Sequence, residues 1–132
     1  KFQKIRNLNI NLHKKFFSNY KNYFIAPKIN KNVKTNFLAY PIIIKKNKMF
    51  DRKKLQIYLE KNNIQTRPIF SGNILRHPAF KHLISSKNKL NDFANSDYIM
   101  RHGLLIGCHQ WLNRDNINYI HKKISQFIAK LD

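Results

Sequence analysis

The chain has one cysteine, three glycines and six acidic residues in 132 positions, and each shortage closes off a class of chemistry. A lone Cys108 cannot build an internal disulfide framework, and a reducing, cytoplasmic compartment is the natural expectation. No Cys-x-x-Cys pair and no His-Glu-x-x-His run is present. The six histidines, at 13, 77, 82, 102, 109 and 121, are scattered, so no metal site is expected. Three glycines do not make a glycine-rich phosphate loop. The six acids are isolated, so no carboxylate pair is available for acid–base work, and no nucleophile elbow frames a serine. Ser85-Ser86-Lys87 has the look of a serine next to a reactive lysine, but in a lysine-rich polar loop that match arises freely. None of these patterns supplies a recognisable catalytic set. No apolar run approaches the ~18 residues of a membrane span. The start, Lys1-Phe2-Gln3-Lys4-Ile5-Arg6, has no apolar segment behind it to read as a secretory signal. It also lacks an initiating methionine and opens inside a helical pattern, which suggests a piece of something longer.

What the chain does have is apolar residues and positive charge. Hydrophobic residues make up 42%, enough for a core, and the length suits one domain. Lys and Arg total 26 against 6 acids, a formal net charge of +20. Clustered cations release counterions from phosphates, so a basic nucleic-acid-binding module is the alternative to carry forward. Here the cations are mostly lysine, spread from end to end, in a chain rich in Asn, Ile, Phe and Tyr. That bias is what AT-rich coding supplies. A solvated lysine surface fits it better, and such a surface would still steer anionic ligands, nucleotides among them.

Hydrophobic periodicity predicts a helix from Phe2 to Tyr23, with Phe2, Ile5, Leu8, Leu12, Phe16 and Tyr20 on its apolar stripe and Ile10 and Phe17 off it. Residues 1–23 read as a long helix that fits the linker of a larger protein, and 24–132 as the domain that follows it. Phe24–Pro27 suits an edge strand, because Pro27 cannot donate to a ladder. Phe37–Ile44 is the best strand, apolar on both faces. Asp51 should cap a helix from Arg52 to Lys61, with Phe50 stapled to Leu55, and Asn62-Asn63 should end it. Ile64–Phe70 reads as a strand, Ser71-Gly72-Asn73 as a turn, and Ile74–Leu83 as an irregular helix broken by Pro78. A polar loop over residues 84–91 follows. Asn95 or Ser96 should cap a helix through Arg101, stopped by Gly103. Leu104–Cys108 reads as a buried strand, and Asn113 should cap the last helix. This order predicts an α+β fold, a small, mostly antiparallel sheet with helices packed mainly on one face.

Polar groups concentrate in Arg67-Pro68-Ile69-Phe70-Ser71-Gly72-Asn73-Ile74-Leu75-Arg76-His77. Gly72 permits a backbone other residues resist, the two arginine forks suit phosphate or carboxylate, and His77 can exchange a proton near neutrality. On residue chemistry alone, a site and an ordinary strand–turn–helix connection remain equally open. A second cluster, Gly107-Cys108-His109-Gln110-Trp111, could deliver side chains to a cleft from a strand end.

The run from Phe50 to the C-terminus resembles the C-terminal part of the DegT–StrS family. The resembling segments are Phe50-Asp51-Arg52, Leu59 to Arg67, Phe70 to Phe80, Asn95 to Met100 and Ile106 to His109. The Gly72-Asn73-x-x-Arg76-x-Pro78 element is similar to the branch that holds the 4-keto-6-deoxyhexose 3-dehydratases. The resemblance implies the small C-terminal domain of a fold-type I enzyme. It implies pyridoxal 5'-phosphate held mainly by a large domain, and a nucleotide-linked keto-sugar substrate in lipopolysaccharide, O-antigen or other polysaccharide precursor synthesis. It also implies a homodimer, with no specific nucleic acid and no membrane as partner. By motif position the implied substrate contacts are Arg67, Ser71, Asn73, Arg76, His77 and His109. The arginines would bind anions, and Asn73 and His77 would contact sugar hydroxyl or keto groups. The internal-aldimine lysine, or the histidine that replaces it in the dehydratases, has no counterpart here. Dehydration and transamination therefore both stay open, as do an inactive fragment, a split subunit and a gene remnant.

Overall fold

The computed structural model describes residues 1–47, 49–85 and 90–131. Its first helix, α1, spans Phe2–Ser18 and stops short of Tyr23, because the Asn19 and Tyr20 N–H groups turn back onto the Phe16 and Phe17 carbonyls, three residues behind each. The inward face also differs from the expected stripe. Asn9, Ile10, His13 and Phe17 are buried, whereas Phe2 and Leu8 are 55% and 60% exposed. The apolar reading missed this face because two of its four members are polar, and polar groups go inside only where hydrogen bonds await them.

Four strands follow the predicted order, β1 Phe24–Ile25, β2 Ala39–Ile44, β3 Thr66–Pro68 and β4 Gly103–Gly107. They form one sheet in the order β1-β2-β4-β3, antiparallel throughout. Tyr40, Ile42 and Ile44 of β2 are wholly buried on one face, and Ala39, Pro41 and Ile43 are half-buried on the other. Pro41 is tolerated in this inner strand because β1 pairs only with Ile43 and Ile44, so no ladder runs past the proline on that side. β3 is shorter than Ile64–Phe70. The Ile64 N–H is used by the Leu59 carbonyl, and Pro68 cannot extend the ladder.

Helix α2, Arg52–Lys61, begins as expected: the Asp51 carboxylate accepts from the Lys54 N–H at 2.8 Å. It ends at Asn62, and Asn63 takes the left-handed conformation with φ 58°. Residues Ile74–Arg76 and Pro78–Leu83 form two 3-10 turns, divided at Pro78 as expected. Helix α3, Ala94–His102, is not capped by Asn95 or Ser96. A 3-10 turn over Leu90–Phe93 runs straight into it, Phe93 holds the cap position, and Gly103 follows its end. Helix α4, Arg114–Ala129, opens on a reciprocal cap between Asn113 and Asn116. Ser86 and Lys87 of the Ser-Ser-Lys run, within the half of the 84–91 loop that comprises residues 86–89, lie outside the described residues.

The core joins the inward faces of α1, α2 and α4 to one face of the sheet, through Ile10, Phe17, Leu55, Leu59, Ile117 and Ile124 against Tyr40, Ile42, Leu104 and Ile106. Each wholly buried aliphatic side chain contributes about 1.5–3 kcal/mol. Helix α1 does not stand off as a separate piece. Phe17 packs edge-on to Phe24 with centroids 5.2 Å apart, and the Tyr20 hydroxyl donates to Ser125 of α4 at 2.8 Å.

Candidate functional site

The turn after β3 is forced by two left-handed residues, Phe70 (φ 39°) and Gly72 (φ 62°). At Gly72 a Cβ would lie 2.3 Å from the Met100 Cβ, so only glycine lets the turn close against α3. Phe70 is the costlier residue to hold there, being bulky, and its ring is 86% exposed.

Behind Gly72 the polar groups satisfy one another. Asn73 is 2% exposed. Its side-chain oxygen accepts from the Leu75 N–H at 3.1 Å, and its amide donates to Asp97 Oδ1 at 2.8 Å. The Arg76 guanidinium donates through Nε and Nη2 to both oxygens of the same Asp97. Those hydrogen bonds, Arg76 first and Asn73 second, hold the Asp97 carboxyl down to about 2. Asn73, expected as a sugar contact, has its side-chain amide buried and engaged at both ends. Arg76 is tied to the same carboxylate. His77, on the surface, donates Nε2–H to the Ser71 carbonyl at 3.0 Å and so ties the two ends of the turn. Ser71 is exposed and lines a shallow depression with Phe70, Ile74 and Ser96.

Arg67 and His109 sit elsewhere, together. Arg67 lies on β3 opposite Leu105. Both residues line a groove of about 380 Å³ at the end of the sheet, with Leu38, Leu105, Asn116 and Tyr119. The α2 end of the groove is fixed by Glu60, whose Oε1 accepts from the Thr66 N–H at 2.8 Å and the Thr66 hydroxyl at 2.7 Å. His109 Nδ1 accepts from the Trp111 N–H at 3.3 Å, so the neutral ring carries its proton on Nε2. Arg67 has no hydrogen-bond or ion-pair partner among the described residues. The groove thus pairs a cationic fork with an imidazole N–H donor, a combination suited to an anion and a neighbouring oxygen.

The structure therefore separates the six expected site residues into three groups: Arg67 with His109, Ser71 with His77, and Asn73 with Arg76. Sequence reasoning missed Asp97 as the acid that organises the last pair; only the scarcity of acids singled it out. It also missed Asn9, His13 and His121, whose partners are remote in sequence. Among the described residues, no group of three metal-ligating side chains is present, and no helix is long and apolar enough to cross a membrane.

Residues 1–125 match the DegT/DnrJ/EryC1/StrS aminotransferase family. The dTDP-4-dehydro-2,6-dideoxy-D-glucose 3-dehydratase of Saccharopolyspora spinosa is 32% identical over 96 residues, covering 72% of this chain and 20% of that protein. The lipopolysaccharide biosynthesis protein RfbH of Salmonella typhimurium is 24% identical over 128 residues, covering 97% and 29%. The solved E. coli GDP-4-keto-6-deoxy-D-mannose-3-dehydratase with bound hydrated PLP superposes with a TM-score of 0.78 at 25% identity, covering 92% of this chain and 30% of that one. An aminotransferase from Psychrobacter cryohalolentis shares the fold, with a TM-score of 0.83 at 12% identity, covering 98% and 35%. The chain spans 20% and 29% of the length of these two curated relatives. With nearly its whole length aligned to that family and its sheet and helices superposing on solved members, the chain belongs to the DegT/DnrJ/EryC1/StrS aminotransferase family.

Proposed function

We propose that this chain is the small-domain part of a pyridoxal-phosphate-dependent enzyme acting on a nucleotide-linked 4-keto-6-deoxy sugar. The reaction would be 3-dehydration or transamination, in the cytoplasmic synthesis of lipopolysaccharide, O-antigen or other polysaccharide precursors. The observation that carries this reading is the convergence of Arg67 and His109 on one open groove, in a chain whose relatives include proteins named as 3-dehydratases of such sugars. Arg67 would hold an anionic group of the substrate, and His109 would donate Nε2–H to a sugar oxygen. Ser71 and His77 would contact hydroxyls from the neighbouring turn. Asn73 and Arg76, locked to Asp97, would position that turn.

The residues described here do not form a seat for pyridoxal phosphate by themselves. A pyridine nitrogen needs a free acid beside it. Asp51 caps α2, Glu60 is bonded to Thr66, Asp97 is bonded to Asn73 and Arg76, and the exposed Asp115 in the first turn of α4 does not line the groove. The reading therefore needs polypeptide corresponding to the rest of the relatives' length, in the same chain or a partner, and a homodimer as the working form. The test is direct. The chain joined to its upstream coding sequence, supplied with the cofactor, should turn over a nucleotide-linked 4-keto-6-deoxy sugar. The 132 residues alone should show neither turnover nor an aldimine absorbance. No cofactor-dependent reaction of the longer protein on any such sugar would overturn the proposal.

A further inference from the structure

We propose that Asn9 of α1 is a positioning residue for the groove. It grips the turn between β4 and α4 and so sets how His109 presents its ring. The inference rests on the groove being the ligand site proposed above, and it adds a residue that lies far from the groove-lining elements in sequence.

The polar side chains on this side of α1 all reach one place. Arg6 donates Nε–H to the Gln110 side-chain oxygen at 2.8 Å. The Asn9 amide donates to the His109 carbonyl at 3.1 Å and the Leu112 carbonyl at 3.0 Å, with the Cys108 carbonyl at a longer 3.4 Å. His13 donates Nε2–H to the Gly107 carbonyl at 2.9 Å. That leaves His13 Nδ1 as an acceptor, and His121 of α4 donates Nε2–H to it at 3.0 Å. Residues 6, 9 and 13 are three and four apart, so they share a face of the helix.

An apolar residue at position 9 would fill the space without the cost of drying an amide, about 1–3 kcal/mol when it is unpaired. Asn9 is instead 3% exposed. Its two shorter bonds end on the first and last residues of the turn 109–112, which the Leu112 N–H closes onto the His109 carbonyl at 3.1 Å. The same turn places the Trp111 N–H on His109 Nδ1. Asn9 holds the turn, the turn aims the Trp111 N–H, and that N–H assigns the His109 proton to Nε2, the nitrogen left for the groove.

The experiment reads the tautomer directly, from two-bond proton–nitrogen spectra of the histidine rings in the 132-residue chain at about pH 8, where imidazoles are neutral. His109→Gln assigns the signal. In the unaltered chain His109 should be the Nε2–H form. In Asn9→Leu it should become a mixture of both forms, and the Trp111 amide should exchange about tenfold faster. A folded Asn9→Leu chain with an unchanged His109 tautomer would show that Asn9 merely packs the helix, and would overturn the proposal. So would an Nδ1–H ring in the unaltered chain, whatever the variants do. If Asn9→Leu does not fold, Asn9→Ser, which keeps a donor but shortens its reach, is read by the same two outcomes. None of these readouts depends on turnover, so the positioning role and the sugar-modifying activity stand or fall separately.

Discussion

The Gly72–Arg76 turn and the Arg67–His109 groove draw on the same residue types, an arginine and a neighbouring nitrogen-bearing side chain, and use them in opposite ways. In the turn, arginine and amide are closed onto one carboxylate, with Asn73 buried beneath. In the groove, arginine and imidazole face open space, and among the described residues the only bond His109 makes through its ring is to the Trp111 N–H. A cation opposite a carboxylate holds a fold in place, while one left open is available to a ligand. The difference favours the proposal that the turn shapes the wall while the groove contacts substrate.

The largest test of this contrast is Gly72→Ala. The new methyl would meet Met100, and a non-glycine residue at φ 62° adds its own strain. Overpacking of this kind costs about 1–3 kcal/mol and the left-handed backbone about 1 more, so urea melts should show a loss of roughly 2–4 kcal/mol. A loss below about 1 kcal/mol would mean the turn is loose, and the division between wall and groove would fail.

The motif around Gly72 was legible in the sequence because its signals are local: a glycine at a left-handed turn, an Asn three residues before an Arg, a proline that splits two 3-10 turns. The same locality explains why the caps of α2 and α4, set by Asp51 and Asn113, were read correctly. What sequence alone could not supply was which polar groups answer one another. Asp97 is 21 residues from Arg76, and Asn9 is 100 from His109. At such separations only the fold decides whether a side chain is satisfied. That is why the bond between Asn73 and Asp97 was not legible, and why the inward face of α1 was placed on Phe2 and Leu8 rather than on Asn9 and His13.

The buried imidazoles behind the groove sharpen the contrast through pH. Burial, the larger effect, lowers His13 from 6.5 to about 4 against the opposing bond to the Gly107 carbonyl. Burial first, and then its His13 neighbour, lower His121 to about 3. Both rings are therefore neutral when folded, and they pick up protons near 6.5 only when unfolded. Stability should be full above pH 6.5 and fall as pH drops toward 4, with His13 alone accounting for about 3 kcal/mol. Asp97 works in a lower window. Its folded value of about 2 lies below the unfolded 3.8, so its contribution is lost only as pH falls below about 4. Urea melts at pH 7.5, 5.5 and 4.5 separate the two. A flat profile down to pH 4.5 would mean that the pair is open to water, and with it the back of the groove.

The smallest expected effect on stability is the most informative about function. Arg67 is exposed, on an edge strand, with no partner among the described residues. Arg67→Ala should leave urea melts within about 0.5 kcal/mol. If Arg67 binds the anionic part of a substrate, the same change in the longer protein should lower kcat/KM about 10- to 100-fold, the loss of one charge-assisted contact. Arg67→Lys should recover only part of that, because an ammonium keeps the charge but not the planar fork. Equal falls in stability and rate would put Arg67 with the engaged groups of the turn. An unchanged rate would make it one more solvated cation on a chain of net charge +20. Only a rate that falls while the fold holds distinguishes an open arginine that binds substrate from one that is merely exposed.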